Sequence, residues 1–490
     1  MTMTTNLFSC ARAVVFFLFL FLPGERGISN CVFAKKQLRQ GAIVKKQELG
    51  NPYEGQLTGI AWADLNHDGA PDLLVSAGKH WIDQSYALIN LGTAPDGDVT
   101  FSKPLALGPP GGYYNVDAAP FASLAAGHHG VLLAGGSCKQ TERNRFGTCR
   151  KGERTPALLL DVVATGCSVR APTARCRLDW TAIWRDRARA GDRNGALVPS
   201  LSRNGDPAIV LTGGSGTAVF EGGWPCDADC GRPAFGLSFD RGRAWDEDLD
   251  TRGSGLAAGT LGTAYPGFFV GTRTADMAAP APLVGVWRDD AAAGGTRSRY
   301  GWDLTDLDNE YWGAPRRRAV QAVDLALADL DGDGNADLVE ANAVERKYAG
   351  TAIQQHYFLL DAEGYPKEGM PGTFSWEGGA GASAIAVGDL FEDSRGPDLA
   401  LGLGNGDLVL FANRGRDDGT GQFRGFEERA RRSVVPGCEI RGVKIVPGLA
   451  ERGAACRGAA VVCAVFCTPR MDGEAEGGVF SFRSASFSTV

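Results

Sequence analysis

Histidine is scarce in this chain. Five residues in 490 leave little material for imidazole metal sites or a histidine general base. A surplus of basic charge is also missing: the formal net charge of −7 argues against nucleic acid as the main partner. No Asn-x-Ser/Thr triplet occurs, so N-linked glycosylation is not expected. No Gly-x-Ser-x-Gly elbow, His-Glu-x-x-His pair or phosphate loop is present, which removes the linear signatures of several hydrolase and nucleotide-binding classes. No stretch stays apolar over the roughly 20 residues that a bilayer-spanning helix needs, and the longest apolar run, near the N-terminus, falls well short.

That run follows Arg12 and extends from Ala13 to Leu22, closed by Pro23 and Gly24. Its length and flanks read as a secretory signal, with an uncleaved anchor as the competing reading. Cleavage after Ala34 puts Val32 and Ala34 at the small-residue positions, giving a signal over 1–34 and a mature chain over 35–490; a cut near Ser29 is the alternative. The cysteines agree with export. Of twelve, Cys10 and Cys31 leave with the signal, and the other ten are disulfide candidates: Cys138, Cys149, Cys167, Cys176, Cys226, Cys230, Cys438, Cys456, Cys463 and Cys467. Close spacing suggests Cys138 with Cys149, Cys167 with Cys176, and Cys226 with Cys230, while the connectivity of the C-terminal four stays open. Half a zinc site at Cys226 and Cys230 has no partner at finger spacing.

What the chain has in abundance is 68 glycines alongside 44% hydrophobic residues, the makings of a large folded body with many tight turns. One segment shows the organising unit. Gly59 to Ala63 is apolar, an acidic turn follows from Asp64, and Leu73 to Val75 is apolar again. The same order recurs at Val323 to Val339 and at Ala384 to Gly402, with Asp329 and Asp389 sixty residues apart. That step, taken along the chain, reaches looser copies at Phe121–Gly135, Leu197–Leu211, Ala257–Gly271 and Val443–Val462, with turns near 64, 126, 203, 263, 329, 389 and 449. The third copy is displaced by a cysteine-rich insertion near 138–176. Further short strands follow each unit, such as Tyr86–Asn90 and Val99–Phe101 after the first, and Asp407–Asn413 after the sixth. About four short strands per unit, none able to cover its own apolar faces, predict an all-β fold: one seven-bladed β-propeller of four-stranded antiparallel blades. Ala42–Lys46 and Gly478–Arg483 are candidates to complete the last blade. Two β-sandwiches are the alternative, although they need not keep the sixty-residue spacing.

The acidic turns carry the chemistry. Asp64, Asn66 and Asp68 offer oxygens at alternate positions, Gly69 allows a sharp bend, Ala70 offers its carbonyl, and Asp72 returns a carboxylate. Such a set suits a hard cation with six to eight oxygen ligands, so Ca2+ is the expected cofactor. Asp329, Asp331, Asp333, Asn335 through its carbonyl, and Asp337 repeat the set with more charge. The third turn has only Asp389, Asp393 and Asp398, because Phe391 replaces a ligand and Asp398 falls one residue late. Polar hairpin tips without an ion are the plainer reading of all three. The second turn also fits an EF-hand loop with Glu340 at its twelfth position, but Val323, Leu325 and Leu327 alternate at strand period, so Glu340 is expected at solvent or a neighbouring blade.

The turns at Asp64 and Asp329 resemble the FG-GAP or VCBS-type repeats of integrin α-subunits and related secreted proteins, which carry an Asp-x-Asp-x-Asp-Gly-x-x-Asp turn. The resemblance is specific at those two turns and extends in outline over residues 40–485. It implies a seven-bladed propeller with calcium in the hairpins that join the first two strands of certain blades. Ser238 to Trp245 fits an Asp-box turn, which buttresses blades and does not catalyse. Trp302 to Trp312 joins carboxylates to aromatics, and reads either as an acidic inter-blade loop or as a sugar groove. His128 and His129 are expected at an exposed hairpin tip. The function expected is a secreted or cell-surface recognition and adhesion module for extracellular glycan or protein, with no nucleic-acid partner and no membrane span after signal removal. A secreted polysaccharide lyase or glycosidase on the same scaffold is the alternative.

Overall fold

The computed structural model describes most of residues 57–135, 155–213, 320–344 and 355–483, and mainly strand backbone between 216 and 303. Among the described residues the chain is all-β: six four-stranded antiparallel sheets, one three-stranded sheet and a two-stranded ribbon. Among the described residues no helix is long and apolar enough to cross a membrane. The seven sheets follow one another along the sequence. Their first strands are Leu57–Ala63, Asn115–Pro120, Asn194–Val198, Arg252–Leu261, Val320–Ala328, Ala382–Gly388 and Glu439–Pro447. The matching second strands are Asp72–Ala77, His129–Ala134, Ala208–Gly213, Tyr265–Arg273, Asp337–Val344, Asp398–Leu403 and Ala459–Phe466. Each first strand packs against the first strand of the next sheet, and Glu439–Pro447 packs against Leu57–Ala63.

The second strands show why the sheets stack. Asp72–Ala77 and Asp398–Leu403 are buried at every position, whereas a sheet with one wet face would alternate. The two faces of the first sheet serve different neighbours. Ala61, Ala63 and Leu74 share a core with Val116, Val131 and Leu160 of the second sheet, and Ile60, Leu73 and Val75 share another with Val446, Ala460 and Val462 of the seventh. Each valine, leucine or isoleucine among them contributes about 1.5–3 kcal/mol when fully buried.

Polar contacts fix the sheets to each other near their first strands. Asp117 accepts a hydrogen bond from the Leu197 N–H of the third sheet at 2.8 Å, and Asp324 accepts one from the Ile385 N–H of the sixth at 3.0 Å. Burial pushes both carboxyls up, against the pull of those N–H groups and of Lys444. One lysine of the seventh sheet thus acts on carboxylates of the second and the fifth. Register shifts fall at Leu57/Gly59 and Ala382/Ala384. The extra residues there, Thr58 and Ser383, donate hydroxyls to the carbonyls of Tyr113 and Ile440 beside the adjacent sheets.

Several expectations need correction. Phe121 does not begin a strand: the strand ends at Pro120, and Phe121 turns its ring over Gly130, where a Cβ would collide with the ring. The cysteine-rich stretch near 138–176 overlaps the second sheet itself, since Ala157–Thr165 and Arg177–Asp186 supply its third and fourth strands. Val99–Phe101 pairs in the two-stranded ribbon, and Leu105–Ala106 is the fourth strand of the first sheet. Glu340 is fully buried, its strand being covered on both faces. The segments flanking Asp329 are strands, as the alternation predicted.

Among the described residues two disulfides are present. Cys167–Cys176 closes the loop between the third and fourth strands of the second sheet, and Cys438–Cys467 joins the open end of the hairpin in the seventh. Cys463 is not a disulfide partner. It is a free thiol in the middle of a strand, facing the core between the sixth and seventh sheets, and burial pushes its pKa up. Cys138, Cys149, Cys226, Cys230 and Cys456 lie outside the described residues, as do Ala42–Lys46, the Ser238–Trp245 turn and residues 304–312.

Candidate metal-binding turns

The turns at Asp64 and Asp329 share one backbone design. Asp64 accepts hydrogen bonds from the N–H groups of Asp68 and Gly69, at 3.1 and 2.9 Å. Asp329 accepts them from Gly332, Asp333 and Gly334, at 2.8–3.0 Å. Further along, Asp68 accepts the Ala70 N–H and Asp333 the Asn335 N–H, each at 2.9 Å. Gly69 and Gly334 have φ values of 82° and 87°, a left-handed bend that glycine takes without a Cβ penalty. The second turn has another such glycine, Gly332, where the first has His67 at φ 55°. A non-glycine residue seldom adopts that conformation. Here the His67 ring is held on the Gly127 carbonyl and stacked on His129.

The closing carboxylate has a structural task in all three turns. Asp72 is fully buried and accepts the N–H groups of Leu65 and Asn90, at 2.8 and 2.7 Å. Asp337 accepts those of Leu330 and Leu360, both at 2.8 Å. Asp398 accepts those of Leu390, Phe391 and Asn413, at 2.7–2.9 Å. Each thus ties the acidic turn to the end of the third strand. Burial pushes Asp72 up to about 7, against its two N–H partners and with a further rise from Asp68 and Asp64. Asp337 is likewise pushed up to about 7, chiefly by burial, and Asp398 is raised for the same reason. Asp72 and Asp337 keep lone pairs beyond those given to backbone, whereas Asp398 also accepts the Ser394 hydroxyl at 3.2 Å.

The first turn carries the oxygen groups of Asp64, Asn66, Asp68 and Ala70, but among the described residues only the second turn brings three carboxylates together. Asn66 donates its amide N–H to the Asp68 carboxylate at 3.1 Å and accepts the Asp68 backbone N–H at 3.2 Å. In the second turn, ligand oxygens of Asp329, Asp331 and Asp333 lie within 4.8 Å of one another. That set is already engaged by the chain's own cations. Lys367 Nζ lies 3.0 Å from Asp331 and also bonds Asp333, and Arg416 Nη2 lies 2.7 Å from Asp331. Burial works against the charge on Lys367, but its bonds to Asp333 and Asp331 outweigh that and raise its pKa. The third turn brings less together: Asp389 is exposed, and Asp393 lies outside the described residues.

Both turns are also hooked to the following sheet by the same carbonyl position. Leu65 O accepts the Ala164 N–H at 2.9 Å, and Leu330 O accepts Asn413 Nδ2 at 2.8 Å. The histidines beside the first turn are not a free tip. His128 Nδ1 lies 2.7 Å from Asp161, and burial lowers the pKa of His129, as does His67.

Residue patterning alone did not single out Lys367, Arg416, Asp117 or Asp324. The two aspartates had a signal, each being the one charged residue of its strand. The two cations had none, since they stand far from the turn in sequence.

No family model matches the chain, and no curated protein matches it in sequence. Among solved structures it is similar to a lectin from Burkholderia pseudomallei, with 14% identity, a TM-score of 0.50, and coverage of 88% of this chain and 97% of that one. Weaker likenesses link it to an outer-coat vertex chain of COPII on membranes (11% identity, TM-score 0.45, 87% and 88% covered) and to BBS1N in complex with ARL6DN (8%, 0.43, 89% and 94%). These neighbours are β-propeller-like, and at such identities the likeness concerns the fold alone.

Proposed function

We propose that the chain is a secreted, calcium-binding, seven-bladed β-propeller of the FG-GAP or VCBS kind, acting as a recognition module for extracellular glycan or protein. The observation that carries this reading is the order of the sheets: seven units pack in sequence, the seventh on the first, with acidic turns at equivalent hairpins of the first, fifth and sixth. Calcium at those turns would stiffen one end of each blade, where the connecting loops offer a binding surface. Asp64, Asn66, Asp68, Ala70 and Asp72 form the first ligand set, with Asp329, Asp331, Asp333, Asn335 and Asp337 as the second. The apolar run at 13–22 and the disulfides support an extracellular setting.

The test is a screen of immobilised glycans and extracellular proteins with the mature chain, in calcium and in chelator. Retention that needs calcium and yields no product is the expected result. Release of oligosaccharide fragments would assign the chain to the carbohydrate-active enzymes instead, and identical melting curves with and without calcium would overturn the metal assignment.

A further inference from the structure

The acidic turn with the greater charge is the one that the chain has closed on itself. Asp331 is the centre of the contact: its side chain is 3% exposed, and it meets both Lys367 and Arg416. The two cations come from different sheets. Lys367 lies in the connection between the third and fourth strands of the fifth sheet, with its N–H bonded to Leu359 O at 2.8 Å. Arg416 belongs to the hairpin that joins the last two strands of the sixth, bridged to Phe423.

That hairpin is held against the fifth sheet by rings. Tyr357 meets Phe423 and Phe426 edge-on, at centroid distances of 5.2 and 5.6 Å, and Phe374 meets Phe411 at 5.3 Å. Arg416 is therefore delivered to Asp331 by a packed surface as well as by its own charge. Two positive side chains bridge Asp331 and Asp333 of the three-carboxylate cluster that Asp329 completes. No such bridge reaches Asp64 among the described residues, where its hydrogen bonds come from its own loop.

We propose that Lys367 and Arg416 form an autoinhibitory latch on the Asp329 turn: tethered counter-ions that join the fifth and sixth sheets and must be displaced before a divalent cation can bind there. The inference rests on the reading of these turns as calcium sites. It makes the Asp329 turn self-neutralised. The reason is effective concentration. A cation fixed by the fold competes with dissolved calcium at no cost in translational freedom, and an ion pair beside a nearly buried carboxylate is screened little by salt.

Calorimetric titration of the full chain with calcium chloride tests this, using wild type, K367Q/R416Q, D64N/D68N and the combined quadruple variant. Lys367 and Arg416 are 31% and 41% exposed, and the single substitutions K367Q and R416Q serve if the double variant is unstable. The expected result is a second calcium in K367Q/R416Q, or affinity at least tenfold tighter at that turn. The gain should persist in the quadruple variant and vanish when D331N is added to K367Q/R416Q. Equal stoichiometry and affinity in wild type and K367Q/R416Q, with binding lost in D64N/D68N, would overturn the latch and leave the calcium assignment standing. A gain on removing the cations, with no uptake by wild type, would support the latch and reject only the first-turn site. No uptake by any of these proteins would overturn both.

Discussion

The turns at Asp64 and Asp329 have nearly the same backbone and different surroundings. Both are pinned from below by a buried aspartate and hooked to the next sheet through a leucine carbonyl. Above that shared base they diverge. The first carries Asn66 and a strained His67; the second carries Asp331 and Gly332, with two cations from elsewhere in the fold. Loop conformation and charge neutralisation are therefore separable problems, and the same peptide geometry accepts either solution.

The shared base should give the largest effect. Asp72→Ala and Asp337→Ala each leave two buried N–H groups without an acceptor, at about 1–3 kcal/mol apiece. Losses of similar size are expected in urea unfolding of the two variants, and a markedly smaller loss at one turn would break the equivalence. The next effect lies where the turns differ. Asp331→Asn removes the charge that holds Lys367 and Arg416 and should cost about 1–3 kcal/mol in chelator, whereas Asn66→Ala at the matching position should cost under about 1 kcal/mol.

Acidity sharpens what the turns have in common. Asp72 and Asp337 titrate in the folded chain at about 7, above the ordinary 3.8, so the folded state holds their protons more tightly than the unfolded one. Their stabilisation is complete below about pH 4 and is lost as pH rises through 7. In chelator, the melting temperature should therefore fall between pH 5 and pH 8, and Asp72→Asn should flatten the fall. The smallest effect is expected at the exposed Asp389: Asp389→Asn should shift stability by less than about 0.5 kcal/mol in the same melts.

The sheet order was legible because burial on both faces leaves a repeated apolar pattern, and the acidic turns mark where each hairpin bends. Turns expected near 64, 329 and 389 lie between paired first and second strands. The second sheet was harder. Its turn lacks acids, and Phe121 looks like strand because an aromatic ring covering a glycine has the same composition as one inside a sheet. Cys463 was grouped with the disulfide candidates because pairing depends on which way a side chain points, and parity carries no such information. The task of Asp72, Asp337 and Asp398 was half visible. Their spacing marks the turn, but their hydrogen bonds reach Asn90, Leu360 and Asn413 across the sheet, a relation that no local pattern encodes.

The contact between Glu439–Pro447 and Leu57–Ala63 sets a condition on biosynthesis. Ile60, Leu73 and Val75 stay without their neighbours until Val446, Ala460 and Val462 arrive, so the earliest sheet to emerge waits for the latest. A chain shortened before residue 439 would expose that oily face permanently, and should accumulate as aggregates instead of as a smaller soluble protein.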